Sequence, residues 1–169
     1  NARWVSANEL PNEKVERGKN DVSLKGISTF QDMVIENIPE LVLVKDASDV
    51  SIVFINRAGE ELLGRDRSEL IGKSDYDFLP KEQADFFVSR DREVLRTGGL
   101  HTTPEEPIDT RHQGTRLLRT MKMAVPDDHG RPKYPLSISD DITERYKAEA
   151  ALRASEARHR FLDAISKET

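Results

Sequence analysis

Apolar residues recur at helical spacing from Ser23 to Pro39 (Leu24, Ile27, Val34, Ile35 and Ile38), which predicts an amphipathic N-terminal helix ended by Pro39. Leu41 to Lys45 and Ser51 to Ile55 are short β-rich runs around Asp46-Ala47-Ser48-Asp49, the pattern of a hairpin. Asn56 stands at an N-cap position before a short helix stopped by Gly64, and two short turns follow around Ser68 to Gly72 and Asp75 to Leu79. Pro80 opens a longer helix from Lys81 to Thr97, closed by Gly98-Gly99. Strand chemistry returns in Thr115 to Val125 and Lys133 to Ile142, which flank a turn-rich loop from Pro126 to Pro132; a weaker strand is expected within Leu100 to Ile108. From Thr143 to the end the chain reads as one Ala-rich helix without Gly or Pro.

This order, helix, two strands, several helices, three strands and helix, predicts an α+β fold: an antiparallel sheet with helices packed on one face. The 169 residues suit one core, but 36% hydrophobic against 34% charged residues places part of the chain outside it. Residues 3–22 carry no periodicity and read as a flexible arm (1–22), with Asn1-Ala2 taken as a cloning remnant. The net charge of −5 and interspersed signs leave no basic stripe, so nucleic-acid binding is not expected. There is no cysteine, which excludes disulfides, thiolate metal sites and cysteine nucleophiles. No apolar run approaches the roughly 20 residues needed to span a bilayer, so no membrane contact is expected of this chain. No nucleophile, base and orienting group occur together, and no catalytic residue is assigned.

Leu43-Val44-Lys45-Asp46, Phe54-Ile55-Asn56-Arg57-Ala58 and Leu70-Ile71-Gly72-Lys73-Ser74-Asp75-Tyr76-Asp77, followed by Ser137-Ile138-Ser139-Asp140-Asp141-Ile142-Thr143-Glu144-Arg145, resemble the PAS family of sensory domains over about Phe30 to Arg145. The resemblance implies a five-stranded antiparallel sheet, a cavity between its inner face and the covering helices, and flanking N- and C-terminal helices. It divides the chain into an N-terminal helix (23–39), a PAS core (40–142) and a C-terminal signalling helix (143–169) leading to the next module. Two departures stand out: Asp140 precedes the Asp-Ile-Thr motif where the family often has Arg, and Pro135 falls inside a central strand, where a bulge or late strand start is expected. Ala151 to Arg158 with Phe161-Leu162 is similar to the lead-in of a second PAS domain. The expected function is a cytoplasmic sensor or relay module of a bacterial signalling protein of the histidine kinase type. A ligand-free dimerising spacer and the input of a diguanylate cyclase are the alternatives.

Within that frame, Phe54, Tyr76, Phe78, Phe87, Met121 and Met123 are candidate pocket residues, although such residues also make ordinary core. Ala84, Phe87, Val88 and Leu95 share a helical face with Asp91 at its centre, and strand alternation places Leu117, Arg119, Met121, Met123 and Val125 together. Asp91 and Arg119 therefore either meet across the interior, paired or open to a small polar ligand, or both snorkel to the rim; the rim is preferred because one bulge inverts the alternation. Asp75 and Asp77 read as caps of backbone N–H groups in a turn. Asp141, Ile142 and Thr143 are the signal-transmitting residues, with the Thr143 hydroxyl capping the exit helix. No cofactor is assigned: the cysteine-adduct flavin is excluded, and haem is disfavoured because the long helix has no His and His101, His112, His129 and His159 are scattered. Noncovalent flavin or an unknown small molecule stays open, and no metal site is expected. Tyr146, Ala150, Ala154, Ala157, Phe161 and Ile165 form one stripe on the exit helix, which suggests a homodimer through the flanking helices and a downstream PAS or kinase module in cis.

Overall fold

The computed structural model describes residues 29–167. The expected arm and the first residues of the N-terminal helix lie outside this range. The chain falls into two units, residues 1–36 and 37–169. In the first, residues 29–36 are helical (α1).

In the second unit, β1 (Leu41–Lys45) and β2 (Ile52–Ile55) form the expected hairpin. Three short helical segments follow: α2 (Arg57–Leu63), α3 (Arg67–Leu70) and a 3-10 turn (Asp75–Asp77). Then come α4 (Lys81–Thr97), β3 (Leu100–Thr110), β4 (Gly114–Pro126), β5 (Pro132–Asp141) and α5 (Thr143–Lys167). The five strands make one antiparallel sheet in the order β2-β1-β5-β4-β3.

Asn56 explains how α2 is fixed to the sheet. Its side chain accepts from Gly59 N (3.1 Å) as an N-cap and from Val42 N on β1 (2.9 Å), while its amide donates to the Glu40 carbonyl (2.9 Å). Gly59 lets the helix close on β2, since a Cβ there would stand 2.6 Å from Ile55. The helices cover one face of the sheet. Ile52, Ile55, Leu63, Leu70, Leu79, Ala84, Phe87, Ile108 and Leu118 form the apolar core between them.

Pro135 sits in regular register opposite Ala124, so the expected bulge or late start is absent; the register shift falls at Val125/Pro126 instead. The reason is direction. Lys133 gives its carbonyl to Ala47 N (2.9 Å), and two residues on Pro135 points its nitrogen to the same side, just beyond the last β1–β5 pair, Val44 with Leu136. No ladder bond is lost there.

The expected alternation of β4 is inverted. Leu118, Thr120 and Lys122 are the buried positions, while Met121 is 40% exposed. The register places Met121 beside Ile138 and Val42 on the outer face, and Met123 beside Leu136 and Val44. Residues that look apolar in the strand thus face outward because the inner face is polar. Lys45, Thr120, Lys122, Ser137 and Ser139 are all buried on it.

Candidate functional site

The polar inner face meets α4 in a four-membered charge cluster. Asp91, on the face of α4 that also buries Ala84, Phe87 and Val94, is fully buried. Its Oδ1 accepts from Lys122 Nζ of β4 (2.5 Å) and its Oδ2 from Lys45 Nζ of β1 (2.7 Å). Lys45 also donates to Asp75 Oδ2 (2.5 Å). Asp91 thus bridges two lysines, and Lys45 bridges two aspartates. Burial raises the Asp91 carboxyl, but the Lys122 and Lys45 ammonium groups outweigh it and hold the group below the usual aspartate value. Burial likewise lowers the Lys45 ammonium, and Asp91 with Asp75 more than reverses it. Two aspartates face two lysines, so the formal charges of the cluster cancel.

Beside it lies a cavity with about 40 Å³ open to the centre of a water molecule, walled by Lys45, Asp75, Glu106, Thr120, Lys122, Ser137 and Ser139 and by apolar side chains including Leu43, Phe78 and Phe87. Thr120 and Ser139 exchange a hydroxyl hydrogen bond across β4 and β5 (2.8 Å). Glu106 on β3 is 2% exposed, and its Oε2 has no hydrogen-bond partner among the described residues. Burial raises its carboxyl above the usual glutamate value, against the lowering effects of Thr120 and Lys122.

A bulge puts Glu106 there. Thr103 opposes Thr120 and Glu106 opposes Leu118, so three steps along β3 match two along β4. The extra residue, at Pro104-Glu105 on the edge strand, turns Glu106 and Ile108 to the inner face.

Of the residues read from sequence as pocket candidates, Phe78 and Phe87 line the cavity and Asp91 anchors its charged end. Phe54 pairs with Val44 on the outer face. Tyr76 is 51% exposed and donates to Asp85 (2.7 Å), while Met121 and Met123 belong to the outward side of β4. Arg119 does not meet Asp91. It faces outward and pairs with Asp140, its cross-strand neighbour (3.1 Å), which gives the departure at Asp140 a partner of opposite charge. Asp77 accepts from Ser74 N (2.8 Å) as a cap, but Asp75 is spent in the core on Lys45. Sequence reasoning missed Lys45, Glu106 and Lys122. Lys122 carried a signal, since it lies between Met121 and Met123 in a strand where one parity must be buried.

At the far end of β4, Asp141 Oδ1 accepts from Thr143 N (3.0 Å) and from the Thr143 hydroxyl (2.5 Å). That hydroxyl does not cap its own helix as expected; it accepts from Leu117 N of β4 (2.8 Å). Ile142 N donates to the Leu117 carbonyl (2.9 Å). Arg116 donates to Asp141 Oδ2 (2.8 Å) and to Glu144 (3.1 Å). The start of α5 is therefore held by side chains and backbone of β4, beyond the continuity of the chain. Burial raises the Asp141 carboxyl, but hydrogen bonds from Thr143 and Arg116 bring it below its ordinary value. Residues 144–166 of α5 are exposed, Tyr146 and Phe161 included.

Among the described residues no group of three or more His, Cys, Asp or Glu side chains could hold a metal ion, and no helix is long and apolar enough to cross a membrane.

Comparison with known proteins agrees with this architecture. The uncharacterized protein y4lL of Sinorhizobium fredii (strain NBRC 101917 / NGR234) is 38% identical over 131 residues, which span 76% of this chain and 16% of that relative's length. The PAS domain of an HTR-like protein from Haloarcula marismortui superposes with a TM-score of 0.62 at 23% identity, covering 74% of this chain and 99% of that one. VqmA bound to DPO gives 0.59 at 24% identity, over 72% of this chain and 58% of that one. Residues 35–147 match the model of the PAS fold, and the chain belongs to the PAS-fold family.

Proposed function

We propose that this domain is a sensor and relay module in which a change at the polar cavity is carried by β4 to the Asp141–Thr143 junction and on to α5. One observation carries the reading: a single strand holds Thr120 and Lys122 at the cavity and, two turns of the pleat away, Arg116 and Leu117 at the junction. A displacement of β4 toward or away from α4 must therefore pull on the first turn of α5. The output we assign is a histidine kinase or a second PAS module in cis, and a diguanylate cyclase would be driven by the same junction. Exposed Tyr146, Phe161 and Ile165 on α5, with Leu100 and Met121 on the outer sheet face, support pairing of two copies.

Amide hydrogen exchange of residues 143–150 tests the relay. Lys122→Met should raise exchange there several-fold in the wild type and much less once Thr143→Val has already cut the tie to Leu117. Equal responses in both backgrounds would remove β4 as the carrier.

A ligand-free spacer is the second reading. The cavity favours it, being far below the roughly 300–1,000 Å³ of small-molecule pockets. In a spacer, Lys122→Met changes stability and leaves α5 exchange untouched.

A further inference from the structure

We propose that the cavity is a binding site for a small N–H-bearing cation of about four non-hydrogen atoms, of the amidinium or alkylammonium class, whose charge is taken by the Glu106 carboxylate. The assignment rests on reading the cavity as the sensing site.

Buried polar atoms are hydrogen-bonded in the large majority of cases, yet Glu106 Oε2 is buried on the cavity wall without a partner among the described residues. The bulge makes this placement specific: in regular alternation running on from Thr103, Glu105 would face inward and Glu106 outward.

Charge balance then selects the ligand. The groups facing Glu106 are Lys122 from β4 and Asp91 and Arg90 from α4. Lys122 is committed to Asp91, and Arg90 to Glu93 (2.7 Å). Lys45 is committed to Asp75 and Asp91. Two lysines cancel two aspartates, so the ionised site carries one surplus negative charge, at Glu106. An anion would meet three carboxylates. A cation with N–H donors supplies both the missing charge and the missing hydrogen bond. The Thr120, Ser137 and Ser139 hydroxyls can accept further N–H groups, and Phe78 and Phe87 provide the apolar remainder.

Size sets the limit. A water molecule needs roughly 10–15 Å³ of such centre-accessible space, so about 40 Å³ holds about three or four first-row atoms.

Acetamidinium, acetamide and acetate share one shape and differ in charge, which makes them direct probes of the whole chain by ¹⁵N amide shift titration. Acetamidinium should bind in the millimolar range, moving the amides of Glu106, Thr120 and Lys122; acetamide should bind about tenfold more weakly and acetate not at all. Glu106→Gln should weaken acetamidinium about tenfold and leave acetamide unchanged. If that variant does not fold, the wild-type series decides, together with acidification, which should weaken acetamidinium alone as Glu106 takes up a proton. Acetate binding as well as acetamidinium, an unaffected Glu106→Gln, or no saturable shift at all overturns the assignment. Acetamidinium binding without any change in α5 exchange would support the ligand class and refute the relay. Absent binding with a Lys122→Met response intact at α5 would refute the ligand class and leave the relay standing.

Discussion

Replacing Asp91 by asparagine takes the central negative charge out of the cluster while keeping its size. Lys45 retains Asp75, but Lys122 loses its carboxylate hydrogen bond and is left with the Phe87 ring, 5.8 Å away, and the attraction of Glu106. Stranding a buried charge in this way costs about 3–5 kcal/mol, a large part of the roughly 5–15 kcal/mol that holds a domain together. A domain of this size loses about 3–4 °C in midpoint per kcal/mol, so Asp91→Asn should melt about 10–20 °C below the wild type. Lys122→Met alone leaves Asp91 with Lys45 and should cost about 2 kcal/mol. The double variant removes the stranded charge and should be more stable than Asp91→Asn, with a coupling of roughly 2–3 kcal/mol. Urea unfolding at pH 7, followed by far-UV circular dichroism with m-values compared across the four proteins, measures it. Because the groups are buried, added salt should leave the coupling nearly unchanged. Effects that simply add, within about 0.5 kcal/mol, would refute the idea that these charges form one network.

Burial holds Glu106 above its unfolded value of about 4.3, so this group contributes most below that pH and its contribution declines as pH rises through the folded value. Glu106→Gln should therefore raise stability at pH 7 and flatten the fall that follows as pH rises above about 4.3; urea unfolding across that range would show an unchanged slope if another group were responsible. Asp141 has the opposite sign: its depressed carboxyl contributes above the unfolded value of about 3.9 and loses that contribution as pH falls through the folded value. Thr143→Val leaves Leu117 N without its acceptor, so it should cost about 1–3 kcal/mol in urea unfolding and loosen α5 in hydrogen exchange. Arg119→Ala breaks an exposed pair and should change stability by less than about 1 kcal/mol, a larger loss being incompatible with its outward placement.

Element boundaries were legible because turn chemistry is local. Pro80 and Gly98 bracket α4, and Asn56 caps α2, through bonds within a few residues. Asp91 was legible as the centre of an apolar helical stripe, but the preferred placement at the rim was wrong for it, because two lysines from the sheet satisfy its charge and let it be fully buried. Its partner was not legible, because which side of β4 is buried depends on bonds to Asp91 and Ser139 from other elements, and an apolar count along the strand chooses Met121 over Lys122. Glu106 left no pattern at all: it lies in Thr103-Pro104-Glu105-Glu106-Pro107, where the bulge breaks the alternation a reader would use. The junction motif was readable as a likeness, but Arg116 and Leu117 enter it only through strand pairing across the end of the sheet.

The position of that bulge has an evolutionary corollary. β3 is an edge strand, hydrogen-bonded to β4 alone, so gaining or losing one residue there disturbs a single ladder. Closing the bulge at unchanged sequence, so that regular alternation ran on from Thr103, would turn Glu105 to the core and Glu106 to water, whereas deleting one bulged residue would leave Glu106 opposite Leu118. Related domains could thus retune the charge of their interior by where this strand is bulged, with every residue that lines the opposite wall left as it was.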